Sequence, residues 1–200
     1  MERRILVVGP VGAGKTTAIR AVSDIAVVDT DVRASDAVAM MKPTTTVAMD
    51  MGIMNVGEGD RVVLYGAPGQ DRFDFMWDIL LTQIDGVLLL LNHQAPDPLG
   101  DLRRYLDAIR IRDTRGRPLV VGVAHVDSAP SDSLESYQSV FSAAQRACGC
   151  VRCCPPIQAL DARVPQDVRT VLMALAALLE FGQRQGARRC QLQTETGSRA

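Results

Sequence analysis

The sequence predicts an α/β fold: a mostly parallel six-stranded sheet with one antiparallel edge strand and helices on both faces. Two observations carry this. Short runs rich in β-branched residues alternate with segments of helical periodicity, the pattern of a sheet whose strands are joined by crossover helices. Only one pair of candidate strands, either side of Gly57–Asp60, is joined by a turn too short for such a crossover, so that pair is antiparallel. A chain of 200 residues suits a single domain, expected here over 1–184 with a polar tail at 185–200.

The elements follow in order. Arg4–Val8 reads as a short strand rich in β-branched residues, and Thr16–Ile25 as a helix with Ala18, Ile19, Val22 and Ile25 on one side. Residues 29–43 carry Asp29, Asp31, Asp36 and Pro43 and read as irregular. Thr45–Gly52 and Arg61–Tyr65 are candidate strands, followed by a helix over Phe73–Ile84. Gly86–Leu91 is apolar throughout and reads as a strand buried on both faces. A helix over Leu99–Ile109, a strand at Pro118–Ala124, a helix over Ser133–Ala147 and a short strand at Ile157–Ala159 come next. The last helix, Val168–Phe181, places Val168, Val171, Leu172, Leu175, Leu178 and Leu179 on one stripe.

Composition excludes several classes. A net charge of −1 with 47% hydrophobic residues fits neither a disordered chain nor a basic nucleic-acid binder. The longest apolar run, Val171–Leu179, is far shorter than the roughly 20 residues a membrane span requires. With 5 cysteines and no export-type leader, reduced thiols and a cytoplasmic location are expected. Of the 22 basic residues only Lys15 and Lys42 are lysine.

Lys15 belongs to Gly9-Pro10-Val11-Gly12-Ala13-Gly14-Lys15-Thr16, which matches G-x-x-x-x-G-K-T between the first strand and the first helix. Its glycines let backbone N–H groups turn inward around a phosphate, at a helix N-terminus that favours negative charge. Lysine adds a mobile point charge for the β- and γ-phosphates, and the Thr16 hydroxyl suits Mg²⁺. The motif predicts a P-loop nucleotide-binding protein.

Further residues recur at small-GTPase spacings. Pro43-Thr44-Thr45-Thr46-Val47-Ala48-Met49-Asp50 resembles a first switch, Tyr65-Gly66-Ala67-Pro68-Gly69-Gln70 a second, and Ala124-His125-Val126-Asp127 the N-K-x-D guanine motif. Asp161-Ala162-Arg163 stands where an S-A-K loop would be. The chain thus resembles the prokaryotic Ras-like GTPases of the Mgl and conservon types, which work with roadblock-domain proteins. The resemblance implies a GTP-binding switch that hydrolyses GTP to GDP slowly, with Mg²⁺ as cofactor. It implies nucleotide contacts at Gly9, Val11, Gly12, Ala13, Gly14, Lys15, Thr16, Thr17, Gly69, His125, Asp127, Asp161, Ala162 and Arg163. Catalytic roles fall to Gln70, which orients water, with Lys15 and Thr46; the metal falls to Thr16, Thr46 and Asp50. A roadblock-type partner would read the nucleotide state near Phe75 and Ile79, which lie off the core stripe Phe73, Met76, Trp77, Leu80 and Ile84.

The departures from the pattern define further expectations. Gly66 stands in place of the second-switch aspartate, and Asp50 on the neighbouring strand compensates, as in Mgl-type relatives. Thr44 and Thr45 remain alternatives to Thr46. Asp127 selects guanine because a carboxylate accepts from both N1–H and the exocyclic amine, each bond worth about 1.5–3 kcal/mol. Ala124 and His125 replace the Asn and Lys of the base motif, so guanine affinity is expected to be weakened. Val11 crowds any arginine a partner inserts, so a partner acts by repositioning Gln70 and the switches; Arg33 is an alternative arginine in cis. Cys148, Cys150, Cys153 and Cys154 read as small buried hydrophobes, with metal or redox chemistry as alternatives. Arg184, Arg188 and Arg189 read as a solvated tail, so any membrane association is weak and runs through a partner. Two other functions stay open: a nucleotide-binding scaffold with little hydrolysis, and a P-loop small-molecule kinase or ATPase.

Overall fold

The computed structural model describes residues 1–27, 50–57, 59–68, 75–126, 133–142, 150–151 and 153–184. Its elements are β1 (Glu2–Val8), α1 (Lys15–Val22), β2 (Asp50–Gly57), β3 (Asp60–Gly66), α2 (Phe75–Gln83) and β4 (Gly86–Asn92), then α3 (Pro98–Arg112), β5 (Leu119–Ala124), α4 (Ser133–Ser139), β6 (Ile157–Ala159) and α5 (Pro165–Arg184). One 6-stranded sheet has the order β2-β3-β1-β4-β5-β6. Every neighbouring pair is parallel except β2 with β3. The expected α/β architecture with one antiparallel edge is therefore the one observed.

Alternation along the central strands sorts the core into two layers. Ile5, Val7, Leu88, Leu90 and Val120 face one side, where Ala18, Ile19 and Val22 of α1 and Val168, Val171, Leu172 and Leu175 of α5 cover them. Leu6, Val8, Leu89, Leu91, Val121 and Val123 face the other, under α2, α3 and α4. Strand β4 is buried on both faces along Gly86–Leu91, which is why its sequence is a continuous apolar run. The α5 stripe is the expected one, with Leu178 only partly buried.

Local chemistry sets several ends. Asp97 caps α3 by accepting from the Gly100 amide at 2.8 Å, and Pro98 occupies its first turn. Beyond α3, Asp113 and Arg117 form an ion pair with side chains 4% and 7% exposed. Arg117 Nε also donates to the Ile84 carbonyl at 2.8 Å, tying this turn to the entry of β4. The outer edge of β2 is occupied by the end of α1. Asp24 N donates to Ile53 O at 2.7 Å, Ile53 N to Ser23 Oγ at 3.2 Å, and Asn55 N to Asp24 Oδ2 at 2.6 Å. Unpaired strand edges invite association, and this one is covered.

Several elements differ from expectation. Helix α1 ends at Val22, where Ser23 turns extended, so Ile25 is 40% exposed and does not join its inward side. Strand β2 runs on to Gly57 instead of stopping at Gly52, because Gly52 lies under α1: a Cβ there would sit 2.7 Å from Ile19 Cγ2. The glycine permits close packing and does not end the strand. Helix α2 buries Trp77 and, just past its end, Ile84, with Leu80 partly buried against the same layer, as the expected stripe requires; it differs in adding Leu81, and the side chains of Phe73 and Met76 lie outside the described residues. Helix α4 gives way after Ser139 to tighter bonds, Val140 N to Tyr137 O and Phe141 N to Gln138 O. Helix α5 starts at Pro165, ahead of its first apolar position. Among the described residues no helix is long and apolar enough to cross a membrane.

Candidate functional site

The carboxyl ends of β1, β3, β5 and β6 and the amino end of β2 converge on the N-terminus of α1. At Gly9 (φ 145°) the chain leaves β1 so close to β4 that a Cβ would lie 2.0 Å from the Leu90 carbonyl oxygen. Gly14 (φ 87°) caps α1 in a left-handed conformation and brings no side-chain cap. The first amide bonded back into the helix is that of Ala18, to Gly14 O at 2.8 Å. The preceding amides of the first turn thus form an electropositive mouth suited to an anion. Ala13 is buried and anchors the loop, whereas Val11 is 68% exposed at its rim.

Lys15 folds back over this loop, and its Nζ donates to Gly9 O and Pro10 O, each at 2.8 Å. Burial pulls its ammonium down to about 8, opposed by the charge of Asp50. An ammonium so desolvated is stabilised by incoming anionic oxygens.

The next residue joins two elements. Thr16 Oγ1 donates to Asp50 Oδ2 at 2.5 Å, linking α1 to the first residue of β2. Asp50 is the register partner of Gly66, the last residue of β3. A Cβ on Gly66 would lie 3.1 Å from Asp50 Cβ and 3.2 Å from Asp50 Oδ2. The Asp50 side chain thus closely flanks the site a side chain at position 66 would occupy, beside the expected metal-binding hydroxyl.

A second recess of about 170 Å³ opens beside the first, lined by Gly14, Thr17, Ala124, His125, Asp161, Ala162 and Arg163. His125 is exposed and has φ 62°, the one positive value at a non-glycine residue among those described. Such a backbone costs about 1–2 kcal/mol and is held by its surroundings. The neighbouring Ala124 carbonyl accepts from the His93 amide at 2.9 Å. Across the recess, Arg163 grips the Asp161 carboxylate, with Nη2 2.6 Å from Oδ2 and Nε 2.9 Å from Oδ1. The Arg163 amide adds a bond to Oδ1 at 2.8 Å. These bonds hold the Asp161 carboxyl down at about 2, with a smaller contribution from His125. Asp167, in the first turn of α5, accepts from the Asp161 amide at 2.9 Å and braces the loop. The two recesses touch at Gly14, where a Cβ would lie 2.9 Å from Ala162 Cβ.

The structure therefore brings together Gly9, Val11, Gly12, Ala13, Gly14, Lys15, Thr16, Thr17, Asp50, His125, Asp161, Ala162 and Arg163. Thr44, Thr45, Thr46, Gly69, Gln70, Asp127, Arg33 and the tail 185–200 lie outside the described residues. Phe75 and Ile79 belong to α2, but their side chains are likewise outside what is described. Sequence reasoning missed Asp167 as a brace and Leu90 as the wall behind Gly9. Leu90 carries no local signal because it acts across the fold, whereas Asp167 reaches back round the turn before α5. One expectation is corrected: Cys150, Cys153 and Cys154 are half-buried, since their turn lies on the surface ahead of β6.

Among the described residues no group of three His, Cys, Asp or Glu side chains could hold a metal ion. Mg²⁺ beside a nucleotide needs only one or two protein oxygens, since phosphates and waters supply the rest. The Thr16 hydroxyl and the Asp50 carboxylate, already in contact, are hard oxygen donors of that kind. No protein-family profile matches this chain, and no curated protein does.

Proposed function

We propose that this chain is a P-loop nucleotide-binding protein and, within that class, a GTP-binding switch that hydrolyses GTP slowly. The observation that carries the reading is the contact of Thr16 with Asp50 at the mouth of a glycine-rich loop that also holds Lys15. Phosphates bind on the first-turn amides of α1, and Lys15 exchanges its two loop carbonyls for phosphate oxygens. Thr16 and Asp50, with Thr46, would hold Mg²⁺, which would supply charge neutralisation on the phosphates. The base enters the recess between His125 and Arg163, where a planar guanidinium locked on Asp161 offers a stacking face. Asp127, next along from Val126, accepts from guanine N1–H and its exocyclic amine. Gln70 orients the attacking water, and a partner of the roadblock type reads the switches beside α2.

The test is nucleotide identification on the purified full chain, followed by GTP and ATP affinities with Mg²⁺ for the native protein and Asp127→Ala. GTP or GDP retained by the native protein, with guanine preference lost in the variant, is the expected result. Retained ADP, or equal affinity for ATP, overturns the guanine reading.

A further inference from the structure

The turn ahead of β6 carries chemistry that the nucleotide site does not use. The amides of Cys153 and Cys154 both donate to the Cys150 carbonyl, at 3.0 and 2.8 Å. Two amides bonded to one carbonyl close a tight turn that draws residues 150 and 153 together. Cys150 and Cys153 are thereby within the Cα separation of under about 7 Å that defines a tight turn. A disulfide spans roughly 4.4–6.8 Å between Cα atoms, so little backbone movement is required. Cys154 differs: it packs against the apolar layer under α4, with its Sγ 3.9 Å from the Phe141 carbonyl. Arg110 reaches over from α3 and donates Nη2 to Cys153 O at 3.3 Å, placing a guanidinium beside this residue.

We propose that Cys150 and Cys153 form a reversible dithiol–disulfide couple, oxidised by a small-molecule disulfide of the glutathione type. The Cys153 thiolate attacks one sulfur of oxidised glutathione and displaces a glutathione thiolate. Cys150, deprotonated, then attacks the Cys153 sulfur of the mixed disulfide, and the second glutathione thiolate leaves. The dithiol loses two electrons, one glutathione disulfide gains them, and the two thiol protons end on the two glutathiones.

The full chain is equilibrated in buffers of rising oxidised-to-reduced glutathione ratio, acid-quenched, alkylated and digested with trypsin. The expected product joins peptide Ala147–Arg152 to peptide Cys153–Arg163, about 2 Da lighter than their sum. Fragmentation places the link at Cys150–Cys153, and dithiothreitol reverses it. A Cys148→Ser/Cys154→Ser variant keeps the link, whereas Cys150→Ser or Cys153→Ser abolishes it. Should the variant pair fail to fold, fragment mapping of the native chain decides alone. A chain that stops at glutathione adducts, stays fully alkylated at every ratio, or links through Cys148 or Cys154 overturns the proposal.

Discussion

Asp50 and Gly66 face each other across the antiparallel pair β2–β3, with Asp50 Oδ2 3.2 Å from where a Gly66 Cβ would stand. The same oxygen accepts the Thr16 hydroxyl. A carboxylate on one strand thus takes the place of a side chain missing from the other.

Removing it has a metal-specific signature. Asp50→Ala is expected to weaken GTP binding by about 10–100-fold in Mg²⁺, the scale of a hydrogen bond to a charged group. In EDTA the native protein and the variant should bind alike. Equal loss in both conditions would make Asp50 a structural brace only.

Gly66→Ala should be costly although it adds one methyl. Its Cβ would meet Ile19 Cδ1 at 2.8 Å as well as Asp50. Overpacking of this kind costs about 1–3 kcal/mol, to be read from the denaturant midpoint.

Lys15 ties stability to pH. Its folded-state value of about 8 lies below the ordinary 10.5, so between these the unfolded chain holds the extra proton. Stability of the nucleotide-free protein should therefore rise across that window, and the slope should vanish in Lys15→Met. GTP affinity of the native protein should fall as pH climbs above about 8, because the cation is then lost. Parallel thermal scans and binding titrations check both.

Arg163→Ala releases Asp161, whose carboxyl should climb from about 2 toward the ordinary range, as a carbon-detected NMR titration would record. The stability Asp161 contributes, present above its unfolded value of 3.8 and lost as pH falls through about 2, should then disappear. The variant should also bind GTP less tightly while binding inorganic tripolyphosphate as the native chain does. Equal losses for both ligands would mean that Arg163 serves the phosphate half.

Asp113→Ala leaves Arg117 buried without its carboxylate. A loss of about 3–5 kcal/mol is expected in chemical denaturation, with nucleotide affinity unchanged.

The glycine-rich loop between β1 and α1 is legible in the sequence because it is built from fixed residue types at contiguous positions. The central strands are legible because burial on both faces leaves them wholly apolar. Long-range packing is where legibility fades. Gly52 reads as a breaker until α1 is seen lying on it. Asp113 and Arg117 have the spacing of an ordinary surface helix pair, yet they form a buried ion pair beneath the turn beyond α3. Asp167 stands in the first turn of α5, and the turn before that helix brings the Asp161 amide to it. The cysteines read as core until the turn that carries them is found at the surface.

The approach of Gly14 to Ala162 makes the two recesses one ruler. At that point the Gly14 backbone and the Ala162 methyl abut, with room for no further carbon between them. Under the proposed reading, a ligand must carry phosphate and base at the matching separation to fill both.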